Sequence, residues 1–195
     1  MTSAATKPQP GPGRPRGFDE AEVLHAALEL FWRQGYEATS LDELTAAMGI
    51  SRSSFYATFG SKHGVLVAAM TCYTDAALAA LAKLTRGDAA DAVPAMLKSL
   101  ANPKGGPKGC LLVNCITELA PHCPDVAALG RRHFAKIVEL FAGVLSPDDP
   151  ARALDRARAL TALALGTVTL RKSGTPPEQI DAALDEARVL LTNPI

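Results

Sequence analysis

Proline placement constrains this chain more than any other feature of its sequence. Four of the 14 prolines fall between Pro8 and Pro15, and the next is Pro94. A helix interior loses a backbone hydrogen bond and gains a clash at proline, so the intervening stretch of about eighty residues, rich in Ala and Leu, permits several helices in succession. The later prolines come in pairs, Pro103 and Pro107, Pro121 and Pro124, Pro147 and Pro150, Pro176 and Pro177, and punctuate further helices. Alternating β-branched runs bounded by tight turns, the mark of strands, are absent. The pattern predicts an all-α chain.

With 195 residues, 48% of them apolar, the chain can bury a real core. Its 20 basic and 20 acidic residues cancel, so a charged partner has to be met by a local patch rather than by net charge. The Pro/Gly-rich stretch Met1 to Gly17 has no apolar h-region and does not read as a secretory signal. The longest apolar run, Leu160 to Leu170, is about half the ~20 residues that a membrane span needs. These readings predict a cytoplasmic protein with no membrane partner. Four cysteines, all beyond residue 70, do not form a secreted disulfide framework and are read as thiols.

Start signals place the first helices. Asp19 caps the first, Glu22 completes an Asp-x-x-Glu box, and Val23, Ala26, Ala27, Leu30 and Phe31 form its apolar stripe before Gly35. A second helix opens at the Ser40/Glu43 box and stops at Gly49. Ser51 caps a third, Arg52 to Thr58, and Ser61 a long fourth. Further helices are expected from Asp91 to Ala101, with Pro94 in the first turn, from Cys110 to Leu119, and from Pro124 to Leu145. Another is expected from Asp149 to Arg171, apolar almost all round from Ala159 on and therefore buried on both faces. The last is expected after a Thr175/Glu178 box.

Helix, short Gly-containing turn, helix is the helix-turn-helix arrangement, whose second helix enters the DNA major groove. Here it is Leu41 to Met48, Gly49-Ile50-Ser51, then Arg52 to Thr58. Arg52 can pair with guanine O6 and N7, and the Ser53, Ser54 and Thr58 hydroxyls can meet base edges or phosphates. An ordinary αα-hairpin has the same spacing.

Residues 14 to 73 resemble the DNA-binding domain of the TetR family of bacterial transcriptional regulators. The matching residues are Ala26-Ala27, Phe31, Gly35-Tyr36, Thr39-Ser40, Asp42-Glu43-Leu44, Gly49-Ile50-Ser51, Phe55-Tyr56, Phe59 and Ser61-Lys62. Thr45 departs from the family pattern, where alanine is usual. Residues 1 to 62 also hold seven acidic against six basic groups. The resemblance implies that Phe55 and Phe59 hold the recognition helix and that Tyr56 and Lys62 meet phosphate, with Thr39 and Ser40 as further candidate DNA contacts. Arg14 and Arg16 on the N-terminal arm can reach an adjacent minor groove, and a plain tail is the alternative. The implied organisation is a flexible basic arm (1–17), a helix-turn-helix domain (18–62) and a helical regulatory and dimerisation domain (63–195).

By the same resemblance the chain is a homodimeric regulator, most often a repressor, that reads pseudo-palindromic double-stranded operator DNA and is released by a small-molecule effector. It needs no cofactor or metal. Candidate ligand residues, taken from helix faces, are Met70, Tyr73, Cys110, Asn114, Glu118, His133, Ile137, Phe141 and Thr161. Candidate dimer-interface residues are Leu160, Leu163, Val168, Ile180, Leu184 and Leu191.

Cys110, Cys115, His122 and Cys123 cluster in sequence, but their spacing does not match a zinc site. Cys110 opens a helix beside Lys104 and Lys108, where a thiolate is stabilised, and Gly109-Cys110 resembles the Gly-Cys of some electrophile-sensing TetR-like repressors. A thiol-sensing repressor is therefore one alternative reading. A Cys/His enzyme is another, without a base and orienting group at diagnostic positions. An architectural DNA-binding protein is a third, and would have no use for so long a helical region after residue 62.

Overall fold

The computed structural model describes residues 18–101 and 106–192, the last six by their backbone alone. Arg14, Arg16, Lys104 and the side chain of Leu191 lie outside this set. All regular structure among the described residues is helical. In α1 (Glu20–Gln34) the Asp19 carboxylate accepts the Ala21 N–H at 2.8 Å. In α2 (Leu41–Met48) both halves of the Ser40/Glu43 box are formed. Ser51 caps α3 (Arg52–Phe59) through Ser54 N–H, and Ser61 caps α4 (Lys62–Ala82) through Gly64 N–H. Each side-chain oxygen satisfies one of the donors a helix start leaves open. Thr45, on α2, is buried and donates its hydroxyl to Leu41 O at 3.0 Å.

The remaining helices are α5 (Ala89–Ala101), α6 (Leu111–Leu119), α7 (Pro124–Leu145), α8 (Leu154–Lys172) and α9 (Pro177–Thr192). Two starts differ from the sequence expectation. Helix α5 begins at Ala89 rather than Asp91, with the Asp88 carboxylate accepting the Asp91 N–H, so Pro94 falls inside the helix instead of in its first turn and leaves the Ala90 carbonyl without its usual donor. A 3-10 turn, Pro150–Ala153, precedes α8, which splits the helix expected from Asp149. At α9 the Pro176 carbonyl accepts from Gln179 and Ile180 N–H groups, while the Thr175 hydroxyl sits 3.4 Å from that of Ser173.

The buried side chains form two clusters. One joins α1, α2, α3, the first half of α4, α6 and the start of α7 around Ala27, Leu44, Phe55, Leu66, Met70 and Leu112. The other joins the end of α4 with α5, α7, α8 and α9 around Leu81, Met96, Ile137, Phe141, Leu160 and Ile180. Each such Leu, Ile or Phe contributes about 1.5–3 kcal/mol by leaving water. Helices α4 and α7 belong to both clusters, and Phe134 of α7 packs against each. These two helices therefore join the clusters.

Length and composition single out α4, rather than Leu160 to Leu170, as the described helix able to cross a membrane. In this fold its Val65, Leu66, Ala69, Met70 and Leu81 are core residues.

Helix α8 is not buried on both faces within the chain. Ala157, Leu160, Thr161, Ala164, Thr167 and Val168 face inward, while Ala159, Ala162, Gly166 and Leu170 are exposed and Leu163 is half-buried. This corrects the expected dimer face. Leu160, Ile180 and Leu184 are enclosed by the chain's own α5, α7, α8 and α9, and Val168 is buried on the side of α8 that faces Gly109, because an all-round apolar helix offers its neighbours either side.

Candidate nucleic-acid interface

Helix α3 is held from below and open above. Phe55 is fully buried, with the Phe59 ring 6.0 Å away, and these two rings anchor the helix to the first core cluster. The opposite side presents Arg52 and Ser53, together with Tyr56, which is 54% exposed. Ser54 and Thr58 are half-buried. The Ser51 hydroxyl that caps the helix also donates to Ser54 Oγ at 3.0 Å and lies 2.9 Å from Ser53 Oγ, so three hydroxyls are gathered at the helix start. The Arg52 guanidinium is ion-paired with Asp42 of α2, a partner that the sequence reading did not assign. Both side chains are largely exposed, so the pair is weak and can exchange for a phosphate or base.

The turn before α2 does not offer Thr39 to DNA. That residue is buried, and its hydroxyl donates to Gly35 O at 2.6 Å, so it shapes the turn. Ser40 is exposed but engaged with Glu43, whose carboxyl is held below its ordinary range chiefly by the Ser40 N–H. Lys62, the first residue of α4, lies on the same turn. Its ammonium is 4.3 Å above the Tyr36 ring and donates to Glu37 O at 3.5 Å. Cation, hydroxyls and the exposed Tyr56 thus lie on α3 and the segments that adjoin it.

The same turn is gripped from the other side by α6. The Glu118 carboxylate accepts Tyr36 N–H at 3.1 Å and Glu37 N–H at 2.8 Å. A Cβ on Gly35, where φ is 85°, would sit 3.2 Å from the same carboxylate. Glu118 was expected to meet a ligand; it ties the reading unit to the later helices. Asn114 is likewise engaged, donating to Lys108 O and accepting from Lys172.

Three of the expected ligand residues come together. Tyr73, Cys110 and His133 line a cavity of about 490 Å³ whose other walls are Leu24, Leu28 and Trp32 of α1, alanines of α4, and Leu100. Met70, Ile137, Phe141 and Thr161 do not reach it. They are packed in the core, with the Thr161 hydroxyl donating to Ala157 O. The α1 wall was missed, although Leu24, Leu28 and Trp32 form a second apolar stripe beside the expected one. Within the cavity wall the Tyr73 hydroxyl donates to Cys110 Sγ at 3.5 Å, and burial, reinforced by the adjacent Cys110, raises its pKa. Burial lowers the pKa of His133, which favours its neutral ring.

Cys110 occupies the position before α6 and is half-buried. Lys108, expected to favour its thiolate, is paired instead with Glu29 at 2.7 Å. Cys115 is buried and its pKa is pushed up to about 12 by that burial. Cys123 lies 4.0 Å from His63 Nδ1, and His63 Nε2 lies 3.0 Å from Asp125, which links the start of α7 to the start of α4 beside Lys62.

Comparison with known proteins accords with this geometry. A family model described as bacterial regulatory proteins, tetR family, matches residues 23–69. Over 134 residues the chain is 33% identical to the HTH-type transcriptional regulator YezE of Bacillus subtilis (strain 168), a match covering 66% of this chain and 69% of YezE. It is 36% identical over 129 residues to the HTH-type transcriptional repressor ComR of Escherichia coli (strain K12), covering 62% of this chain and 61% of ComR. Among solved structures, a cysteine mutant of the TetR family regulator CifR, complexed with 26-bp double-strand operator DNA, aligns with a TM-score of 0.77 at 26% identity. That alignment covers 90% of this chain and 98% of CifR. The reduced form of E. coli NemR aligns at 0.75 and 22% identity, over 87% of this chain and 95% of NemR.

Proposed function

Because the chain belongs to the TetR family of bacterial regulatory proteins and is a DNA-binding transcriptional regulator, we propose that it is a cytoplasmic repressor. It binds a pseudo-palindromic operator as a homodimer and leaves it when a small molecule binds. The observation that carries this reading is the position of α3, anchored by Phe55 and Phe59, with Arg52, Ser53 and Tyr56 outward and Lys62 alongside. The CifR–operator complex and the naming of ComR as a repressor support it. The organisation that follows is the arm (1–17), the reading unit (18–62) and the regulatory and dimerisation region (63–195).

A single α3 covers one half-site, so a two-fold copy reads the other half of a palindrome. Residues Ala159, Ala162, Gly166 and Leu170 of α8, with Leu163 at their edge, form the apolar stripe for that pairing; the space beside Gly166 is open. To move the DNA-bound state from 99:1 to 1:99, an effector must prefer the released arrangement by about 5.5 kcal/mol. A thiol-sensing reading has one observation in its favour, the Tyr73 hydroxyl donating to Cys110 in the cavity wall.

Sedimentation of the protein with a duplex recovered from pooled genomic fragments tests the proposal. Two subunits per duplex are expected. One subunit per duplex, or no duplex held above random DNA, contradicts it.

A further inference from the structure

We infer that the cavity between α1 and α4 takes an uncharged, mainly apolar molecule bearing a hydrogen-bond-accepting oxygen, and that Trp32 donates to that oxygen. The inference rests on the effector-controlled reading above and names the chemistry of the effector.

Two polar atoms carry it. Trp32 Nε1 and His133 Nδ1 have no hydrogen-bond partner among the described residues, and each residue is only 8% exposed. Both residues line the same cavity. Neither nitrogen has open surface as the rings stand, but a buried donor or acceptor left unpaired costs about 1–3 kcal/mol, which an occupant recovers by drawing either ring nitrogen toward the cavity that both residues line. Indole nitrogen can only donate, which requires an acceptor on the ligand. The neutral His133 ring can donate or accept through Nδ1, which suits a carbonyl or a hydroxyl.

Charge is excluded by the rest of the wall. Its one carboxylate, Glu29, is paired with Lys108, whose ammonium also lies 4.8 Å from the centre of the Trp32 ring. An ammonium ligand would find that carboxylate engaged, and an anionic ligand would meet it. His25 also borders the cavity and is exposed to solvent. The remaining surface comes from Leu24, Leu28, Leu81 and Leu100, and the small side chains of Ala69 and Ala77 leave the width. A volume near 490 Å³ falls within the usual range for small-molecule sites, about 300–1,000 Å³.

Position makes such a molecule an effector. Trp32 belongs to α1, whose neighbouring Phe31 packs at 5.8 Å on Tyr36 of the turn that Glu118 and Lys62 hold. An occupant touches the reading unit directly as well as α4.

Trp32 is the only tryptophan in the chain and lines this cavity as well as the one beside Glu118, so its emission responds to an occupant and calorimetry with Trp32→Phe assigns it. Four probes that share a heptyl chain test the inference: heptyl methyl ketone, the alkene with methylene in place of its oxygen, octanoate, and the corresponding secondary amine. The ketone is expected to change the Trp32 emission saturably and to bind at least about tenfold more tightly than octanoate or the amine. By calorimetry, Trp32→Phe should lower ketone affinity about tenfold, to the level of the alkene, and leave alkene affinity unchanged. No saturable binding of the ketone, equal binding of either charged probe, or a ketone advantage that survives Trp32→Phe would overturn the inference. The wild-type ranking stands as a test even if the variant does not fold. Duplex binding measured without probe separates this from the parent reading. A protein that ranks the probes as expected but holds no duplex above random DNA keeps the cavity chemistry and loses the regulator.

Discussion

The Glu118 carboxylate receives the Glu37 backbone N–H at 2.8 Å and so fastens the last turn of α6 to the segment that launches α2. Since Tyr36 N–H binds the other oxygen, removing the carboxylate opens two charge-assisted hydrogen bonds at once. Glu118→Ala should lower unfolding stability by about 1–3 kcal/mol, read from the urea midpoint at unchanged m-value. Operator affinity should fall with it, and Glu118→Gln should fall between. Gly35→Ala should cost a similar amount, because its φ of 85° and ψ of 170° suit glycine and its new Cβ crowds the same carboxylate. Wild-type stability in both Ala variants would show that the grip is not used.

The DNA-facing charges separate into two kinds. Lys62→Ala should weaken binding to all duplexes alike and reduce the slope of log affinity against log salt by about one unit. Asp42→Asn should act in the opposite direction, since it frees Arg52 and removes a negative charge beside α3. Anisotropy titrations at two salt concentrations measure both, and a weaker Asp42→Asn variant would count against this placement of α3.

Assembly and folding should respond to different leucines. A glutamate at Leu170, which is 45% exposed, places an uncompensated charge in the proposed two-fold contact and should give folded monomers. A glutamate at Leu184, which is 6% exposed, buries that charge inside the subunit and should unfold it. Light scattering with circular dichroism distinguishes the outcomes. A Leu170→Glu dimer as tight as wild type would place the contact elsewhere.

His133 gives the fold a pH dependence of defined sign. Burial lowers its pKa from the ordinary 6.5, so between that value and its lowered one the unfolded chain binds a proton that the folded chain refuses. Its contribution is complete above pH 6.5 and is lost as pH falls toward the folded pKa. His133→Phe should therefore flatten the fall in urea midpoint between neutral and mildly acid pH. A fall of the same steepness in the variant would assign it to other groups.

The local parts of this structure were legible in the sequence. The Ser40, Ser51 and Ser61 caps are formed within three residues, and the face of α7 from Val126 to Val144 follows one helical period and is buried throughout. What stayed hidden depends on neighbours distant in sequence. Periodicity shows that Met70 and Trp32 are both apolar positions on helices, but only packing decides that Met70 is filled in and Trp32 borders a cavity. The all-round apolar α8 gave no sign of which side its own chain takes. Glu118 reaches a turn 82 residues earlier, beyond any pattern read along the chain.

Sequencing the duplexes that wild type and Arg52→Ala select from one random library, at the same moderate salt, tests most directly whether α3 reads DNA. The wild type should enrich a pseudo-palindrome, and Arg52→Ala should relax the same symmetric base pairs in both halves, at a cost of about 1–3 kcal/mol each. No enriched motif for the wild type, or an identical motif for the variant, would contradict the account.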